Sequence, residues 1–206
     1  TRVETAVAVS ADAFPSATTA VLARADDPTD ALAGAPLAAS LDAPLLLART
    51  DEVPAVVLDE LDRLGVEEVV LLGGRHALGP EVEDDLADVE VRRLAGRDRI
   101  STAIAVARAL GPAEVAWVAG TAGPVDALGA GTVGALAGQP VLLVGDDPDR
   151  LADVLDELGV TEVRVAGGPA VVPDEVADGL ATDGRRVVRR AGPDRYATAA
   201  LLAEDA

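Results

Sequence analysis

Short, almost wholly apolar runs rich in Val and Leu alternate along the chain with longer amphipathic stretches of Ala, Leu, Asp and Glu. Val69-Val70-Leu71-Leu72 and Val141-Leu142-Leu143-Val144 are apolar at successive positions rather than at every second one. Parallel strands covered by helices on both faces require such runs, and their alternation with helical stretches makes a βαβ rhythm. In the second half the pattern predicts helices at 98–110, 126–137, 148–158 and 174–181, and strands at 114–119, 140–145, 162–166 and 186–190. The first half follows the same order. The expected fold is α/β, a tandem repeat of small modules with mainly parallel sheets flanked by helices.

The repeat is visible in the residues themselves. Leu64 to Leu86 reads LGVEEVVLLGGRHALGPEVEDDL and Leu158 to Leu180 reads LGVTEVRVAGGPAVVPDEVADGL, which agree at about half their positions without a gap. Asp30-Ala31-Leu32 recurs as Asp126-Ala127-Leu128, and Pro44-Leu45-Leu46-Leu47 as Pro140-Val141-Leu142-Leu143. A third landmark appears three times, around Thr5, Thr102 and Thr198, with spacings of 102 − 5 = 97 and 198 − 102 = 96. A period of that length is the size of a small domain, so each copy should have its own core. The expected divisions are residues 1–96 and 97–192 as two modules and 193–206 as the start of a third. The helix opening at Asp194 should then dock on a neighbouring module, since Leu201 and Leu202 would otherwise face water.

Composition narrows the chemistry. The chain has 206 residues, half of them hydrophobic, but aromatics make up only 1%: Phe14, Trp117 and Tyr196. The core must be aliphatic. There is no cysteine, which removes disulfides and thiolate metal sites. Net charge is −19 from 36 acidic and 17 basic residues, and every basic residue is arginine. Such a field, with neither a basic footprint nor stacking aromatics, excludes a general nucleic-acid binder. No apolar run approaches the roughly 18 residues needed to span a bilayer, and Thr1 to Thr5 carry no signal-peptide pattern.

The third landmark has the form GxDRxxTA, whole as Gly96-Arg97-Asp98-Arg99-Ile100-Ser101-Thr102-Ala103 and as Gly192-Pro193-Asp194-Arg195-Tyr196-Ala197-Thr198-Ala199. Its Asp is placed to cap the helix it opens. Beyond capping, a module-to-module contact and a ligand site both remain open. The pairs Gly73-Gly74 and Gly167-Gly168 follow a strand's carboxyl end, where open parallel sheets bind ligands. They lack dinucleotide spacing and a P-loop lysine, so a tight turn is the simpler expectation. For a metal-dependent hydrolase the available carboxylates are Asp147 and Asp149 with Asp126, although Asp147-Pro148 also reads as an ordinary cap before a helix. His76 has no counterpart in the second copy, where Ala170 stands, and no nucleophile motif is present.

With these elements in this order and spacing, over nearly the whole chain, the sequence resembles the type 2 cell wall binding repeat family of Gram-positive surface proteins. It departs in having Thr29 and Val125 directly before the DAL motif, with Pro28 and Pro124 one position earlier. The resemblance implies a non-covalent anchor at the cell surface, without catalysis or cofactor. Three copies would pack about a pseudo-threefold axis and bind an anionic secondary polymer of the wall. The net charge opposes a polyanion, so binding would have to be local. Arginines bracket each landmark, Arg92, Arg93, Arg97 and Arg99 at the first and Arg185, Arg186, Arg189, Arg190 and Arg195 at the second. Their guanidinium forks suit phosphate or carboxylate, and they also suit ordinary pairing with the acidic surface. The candidate ligand residues are therefore Arg97, Arg99 and Arg195, with Asp98, Asp194, Arg93 and Arg190 beside them.

Overall fold

Eight strands and nine helices were found in the described residues of the computed structural model, which are 1–27, 29–121, 124–145, 148–181 and 184–205. The first set is α1 (Arg2–Ala13), β1 (Thr19–Arg24), α2 (Thr29–Ser40), β2 (Leu45–Ala48), α3 (Ala55–Leu64), β3 (Glu68–Leu72), α4 (Pro80–Asp85) and β4 (Glu90–Leu94). The second is α5 (Arg99–Leu110), β5 (Val115–Gly120), α6 (Pro124–Ala137), β6 (Val141–Val144), α7 (Asp149–Glu157), β7 (Glu162–Ala166), α8 (Asp174–Gly179) and β8 (Arg186–Arg190), and α9 (Arg195–Ala203) follows. The strands form two separate four-stranded sheets, ordered β2-β1-β3-β4 and β6-β5-β7-β8, with every pairing parallel. Matched strand order in two sheets is the tandem α/β repeat that the periodicity predicts.

Each sheet is buried on both faces, which explains its continuously apolar central strands. Along β1, Ala20 and Leu22 join one cluster with Leu46, Val57, Leu61 and Val69, under α1 and α3. Val21 and Ala23 join another with Ala31, Leu37, Val70 and Leu72. The edge strands β4 and β8 carry arginines and are only half-buried, which discourages edge-to-edge pairing.

The second face of each sheet is not self-sufficient. The cluster over Val21 and Ala23 includes Val106 of α5, and the one over Trp117, Ala119, Val141 and Leu143 includes Leu32 and Ala33 of α2 and Leu202 of α9. A core for each copy thus describes one face of each sheet, and the facing helices complete the other. Helix α2 is apolar on more than one side and serves both sheets.

Close approach between α2 and α6 depends on small residues. A Cβ at Gly131 would lie 2.8 Å from the Leu32 carbonyl oxygen, and one at Gly134 would lie 3.2 Å from Pro36 Cγ. Pro36 has no N–H to bond the Leu32 carbonyl, so that oxygen is left to face α6. Gly129 seats Leu202, whose Cδ1 would be 2.5 Å from a Cβ there. Leu202 is accordingly buried, which fixes α9 on α6.

Candidate functional site

Most of the GxDRxxTA landmark is consumed in building its own turn. Asp98 Oδ1 accepts from the Ser101 N–H at 2.8 Å, and Asp194 Oδ1 accepts from the Tyr196 and Ala197 N–H groups, both at 2.9 Å. These are ordinary caps. The Gly96 N–H donates to Thr102 Oγ1 at 3.1 Å and the Gly192 N–H to Thr198 Oγ1 at 3.0 Å, and both threonines are buried. Only glycine fits, since a Cβ at Gly96 would stand 2.1 Å from Ser101 Cβ. The arginine is the member left pointing outward.

The other candidate arginines divide by use. Arg93 donates to the Gly73 carbonyl at 2.7 Å and to Glu83 at 2.8 Å, and Arg189 repeats this with the Gly167 carbonyl and Asp174. They clamp the glycine turn to the following helix. Arg190 pairs with Asp205 beyond α9, Arg92 with Glu68, Arg186 with Glu162, and Arg185 is buried against the Val160 and Leu180 carbonyls. Arg99 has one long pair, 3.6 Å to Asp27 across the junction. Arg97 and Arg195 form no ion pair with any described residue.

Arg97 and Arg99 come together at the first junction, and Arg195 belongs to the second. At the first junction, by the carboxyl ends of β1 and β3, a cavity of about 360 Å³ is bordered by Arg24, Arg97 and Arg99 and by Asp27, Asp30 and Asp98. This is where open parallel sheets place ligands. Asp27 bridges Arg24 at 3.3 Å and Arg99 at 3.6 Å, and takes a hydrogen bond from the Thr29 hydroxyl, which with the arginines holds its carboxyl below the usual range. The Arg150 guanidinium, 3.1 Å away, and the Ser101 amide hold Asp98 well below that range. Asp30 goes the other way. Burial, reinforced by Asp27, pushes it up against the opposing pull of Arg24 and Arg99.

Arg24, Asp27, Asp30 and His76 border this cavity but are absent from the site residues the sequence suggested. Arg24 ends a strand some 75 residues before the landmark, and only the sheet order brings it near. The signal that marks it is positional, a charged residue at the carboxyl end of a central strand.

The remaining candidates resolve as follows. The glycine pairs form tight turns, with Gly73 at φ 105° and its N–H bonded to the Leu94 carbonyl at 2.9 Å. Among the described residues no three His, Cys, Asp or Glu side chains are grouped to hold a metal ion. Asp126 lies against Gly167, Asp149 opens α7, and Asp147 lies outside the described residues, as does Pro28. Among the described residues no helix is long and apolar enough to cross a membrane.

The model of the cell wall binding domain 2 family matches residues 1–83 and 93–177. Among curated proteins, the chain is 27% identical over 207 residues to the N-acetylmuramoyl-L-alanine amidase LytC of Bacillus subtilis (strain 168), covering 98% of this chain and 41% of the amidase. It is 28% identical over 153 residues to the amidase enhancer of the same organism, covering 74% of this chain and 21% of that protein. Among solved structures, Cwp6 from Clostridium difficile superposes with a TM-score of 0.92 at 26% identity, over 99% of this chain and 34% of Cwp6. Cwp8 from the same organism gives 0.90 at 31% identity, over 98% and 36%. The chain therefore spans less than half the length of each of these relatives.

Proposed function

Because the chain belongs to the cell wall binding domain 2 family, we propose that it is a non-covalent anchor that holds a surface protein to the cell wall by binding an anionic secondary wall polymer. The observation that carries this reading is the first junction, where a protein of net charge −19 gathers three arginines about one cavity and so offsets the three aspartates that share its lining. Contacts to charged partners contribute about 1.5–3 kcal/mol each, and salt shortens the opposing field to about 8 Å, so a few local contacts outweigh it. The module assignment proposed is 1–96, 97–192 and the opening of a third at 193–206, acting outside the cell. No catalytic role is assigned, since the amidase relative is covered over only 41% of its length. The neighbouring partner is a further repeat, from the same or another chain, seated on the exposed Val125, Leu128 and Leu136 of α6.

The deciding experiment is co-sedimentation of the purified chain with Gram-positive walls before and after chemical removal of their anionic polymer, using wild type and an Arg97→Ala/Arg99→Ala double variant. Binding that disappears with the polymer and falls in the variant supports the anchor. A second reading, in which the landmark only joins modules, is favoured by the Arg99–Asp27 pair across the junction. It would prevail if the double variant bound walls as wild type does and melted earlier.

A further inference from the structure

The DAL aspartate sits where a charge is poorly accommodated. Asp30, in the first turn of α2, is wedged against the glycine turn after β3, so close that a Cβ at Gly73 would be 2.7 Å from its Oδ2. No described group donates it a hydrogen bond. The charged and titratable groups around it are Arg24 from β1, Asp27 from the loop before α2, Arg97, Asp98 and Arg99 from the start of α5, and His76 from the loop after β3. Arg24 itself is incompletely used. Its buried Nε makes no hydrogen bond, although Asp26 Oδ1 lies 2.7 Å away outside the donor's direction.

We infer that Asp30 is an acid-responsive gate on this cavity, which takes up one oxyanion, the phosphate or carboxylate of an acidic polymer, between Arg24, Arg97 and Arg99 once Asp30 is neutral. The inference rests on the reading of this junction as the anion-binding face. With all carboxylates ionised, the three arginines and three aspartates lining the cavity cancel, and Asp26 paired with Arg24 and Arg150 paired with Asp98 cancel each other, so neutralising Asp30 leaves an excess of one positive charge. Asp27 and Asp98 are stabilised as carboxylates by their arginine and hydroxyl or amide partners, whereas burial works against Asp30, so Asp30 is the first of the three to take a proton as pH falls. The second junction has the corresponding aspartate, Asp126, without the cradle. Gly120 stands for Arg24, Pro193 for Arg97 and Ala170 for His76, and a side chain at Gly120 would strike the Val171 carbonyl at 2.4 Å. Among the described residues the gated site therefore occurs once.

Sulfate is the probe, because it stays a dianion across the range and any pH dependence belongs to the protein. Titrations followed by the backbone amide NMR shifts of Gly74, Gly96 and Thr102 would be run at about pH 7.5 and about pH 5, well above and near the carboxylate range. Wild type should bind about three- to tenfold more tightly at the lower pH, the size expected for removing one nearby charge in a partly screened site. Asp30→Asn should bind tightly at both, Arg24→Ala weakly at both, and His76→Gln, which removes the one imidazole bordering the cavity, should keep the pH dependence. If Asp30→Asn retains the wild-type pH dependence while Arg24→Ala still weakens sulfate, the gate is overturned and the anion site stands. If sulfate shifts none of these amides even in Asp30→Asn, the anion-site reading falls and the gate with it. Should Asp30→Asn fail to fold by circular dichroism, pH dependence lost in His76→Gln would overturn the gate, and pH dependence kept there would support it.

Discussion

Helices α2 and α6 begin with the same Asp-Ala-Leu and occupy the same place over their sheets, yet Leu32 is 9% exposed and Leu128 is 57% exposed. The difference lies in what stands opposite. Leu32 enters the cluster formed by α6 and the second sheet, while the matching face of α6, with Val125, Leu128 and Leu136, meets no third sheet. At the other end Val9 of α1, the counterpart of the buried Val106, is 61% exposed. One contact is thus seen filled between the two repeats and open at both ends, as expected of a head-to-tail interface.

The sharpest way to break this comparison is at the closest point of the filled contact. Gly131→Leu should separate α6 from α2 and cost about 3 kcal/mol or more, because the extra atoms meet a backbone carbonyl that cannot yield. A urea midpoint within error of wild type would disprove the close approach. Next, Leu32→Ala should cost about 2–4 kcal/mol and Leu128→Ala no more than about 0.5 kcal/mol, measured by equilibrium denaturation of the isolated chain. In a preparation containing a third repeat the two costs should converge. Smaller again are the caps. Asp98→Ala and Asp194→Ala should each cost about 1 kcal/mol, and thermal melts would show whether the Arg150 contact makes the first more costly.

The smallest effect separates the two acidic starts, Asp30 and Asp126. Both carboxyls are raised by burial, with Arg24 and Arg99 opposing the rise at Asp30 and Arg195 opposing it at Asp126. A raised folded pKa means that the ionised form is disfavoured in the native state. The penalty is present above the folded pKa and vanishes as pH falls to the ordinary carboxylate value, so wild type gains stability relative to Asp30→Asn on acidification. The melting temperature of wild type minus that of Asp30→Asn should rise from neutral to mildly acidic pH, and a difference that falls would contradict the sign.

Patterning along the chain located the elements because parallel strands buried on both faces leave an unbroken apolar signature. The strands at 162–166 and 186–190 were placed to the residue, and the helix expected from 126 starts at Pro124, a proline in its first turn. The helix expected to run to 181 stops at Gly179. What local pattern could not supply is which arginines are already engaged. Arg93 and Arg190 look like ligand residues beside the landmark, but Glu83 of α4 and Asp205 just past α9 hold them, 10 and 15 residues away in sequence. Likewise nothing around Arg24 signals that parallel pairing of β1 with β3 will bring it to the α5 start.

Helix α5 follows β4 after only four residues, and through Val106 it contributes to the core of the sheet before it as well as to its own. A load applied between the two ends of the chain passes through this shared helix. Here there is no slack tether between repeats to absorb it, and pulling α5 from either sheet opens a hydrophobic face in the other. Stretched between its termini, the pair should yield in one cooperative rupture instead of two separate steps.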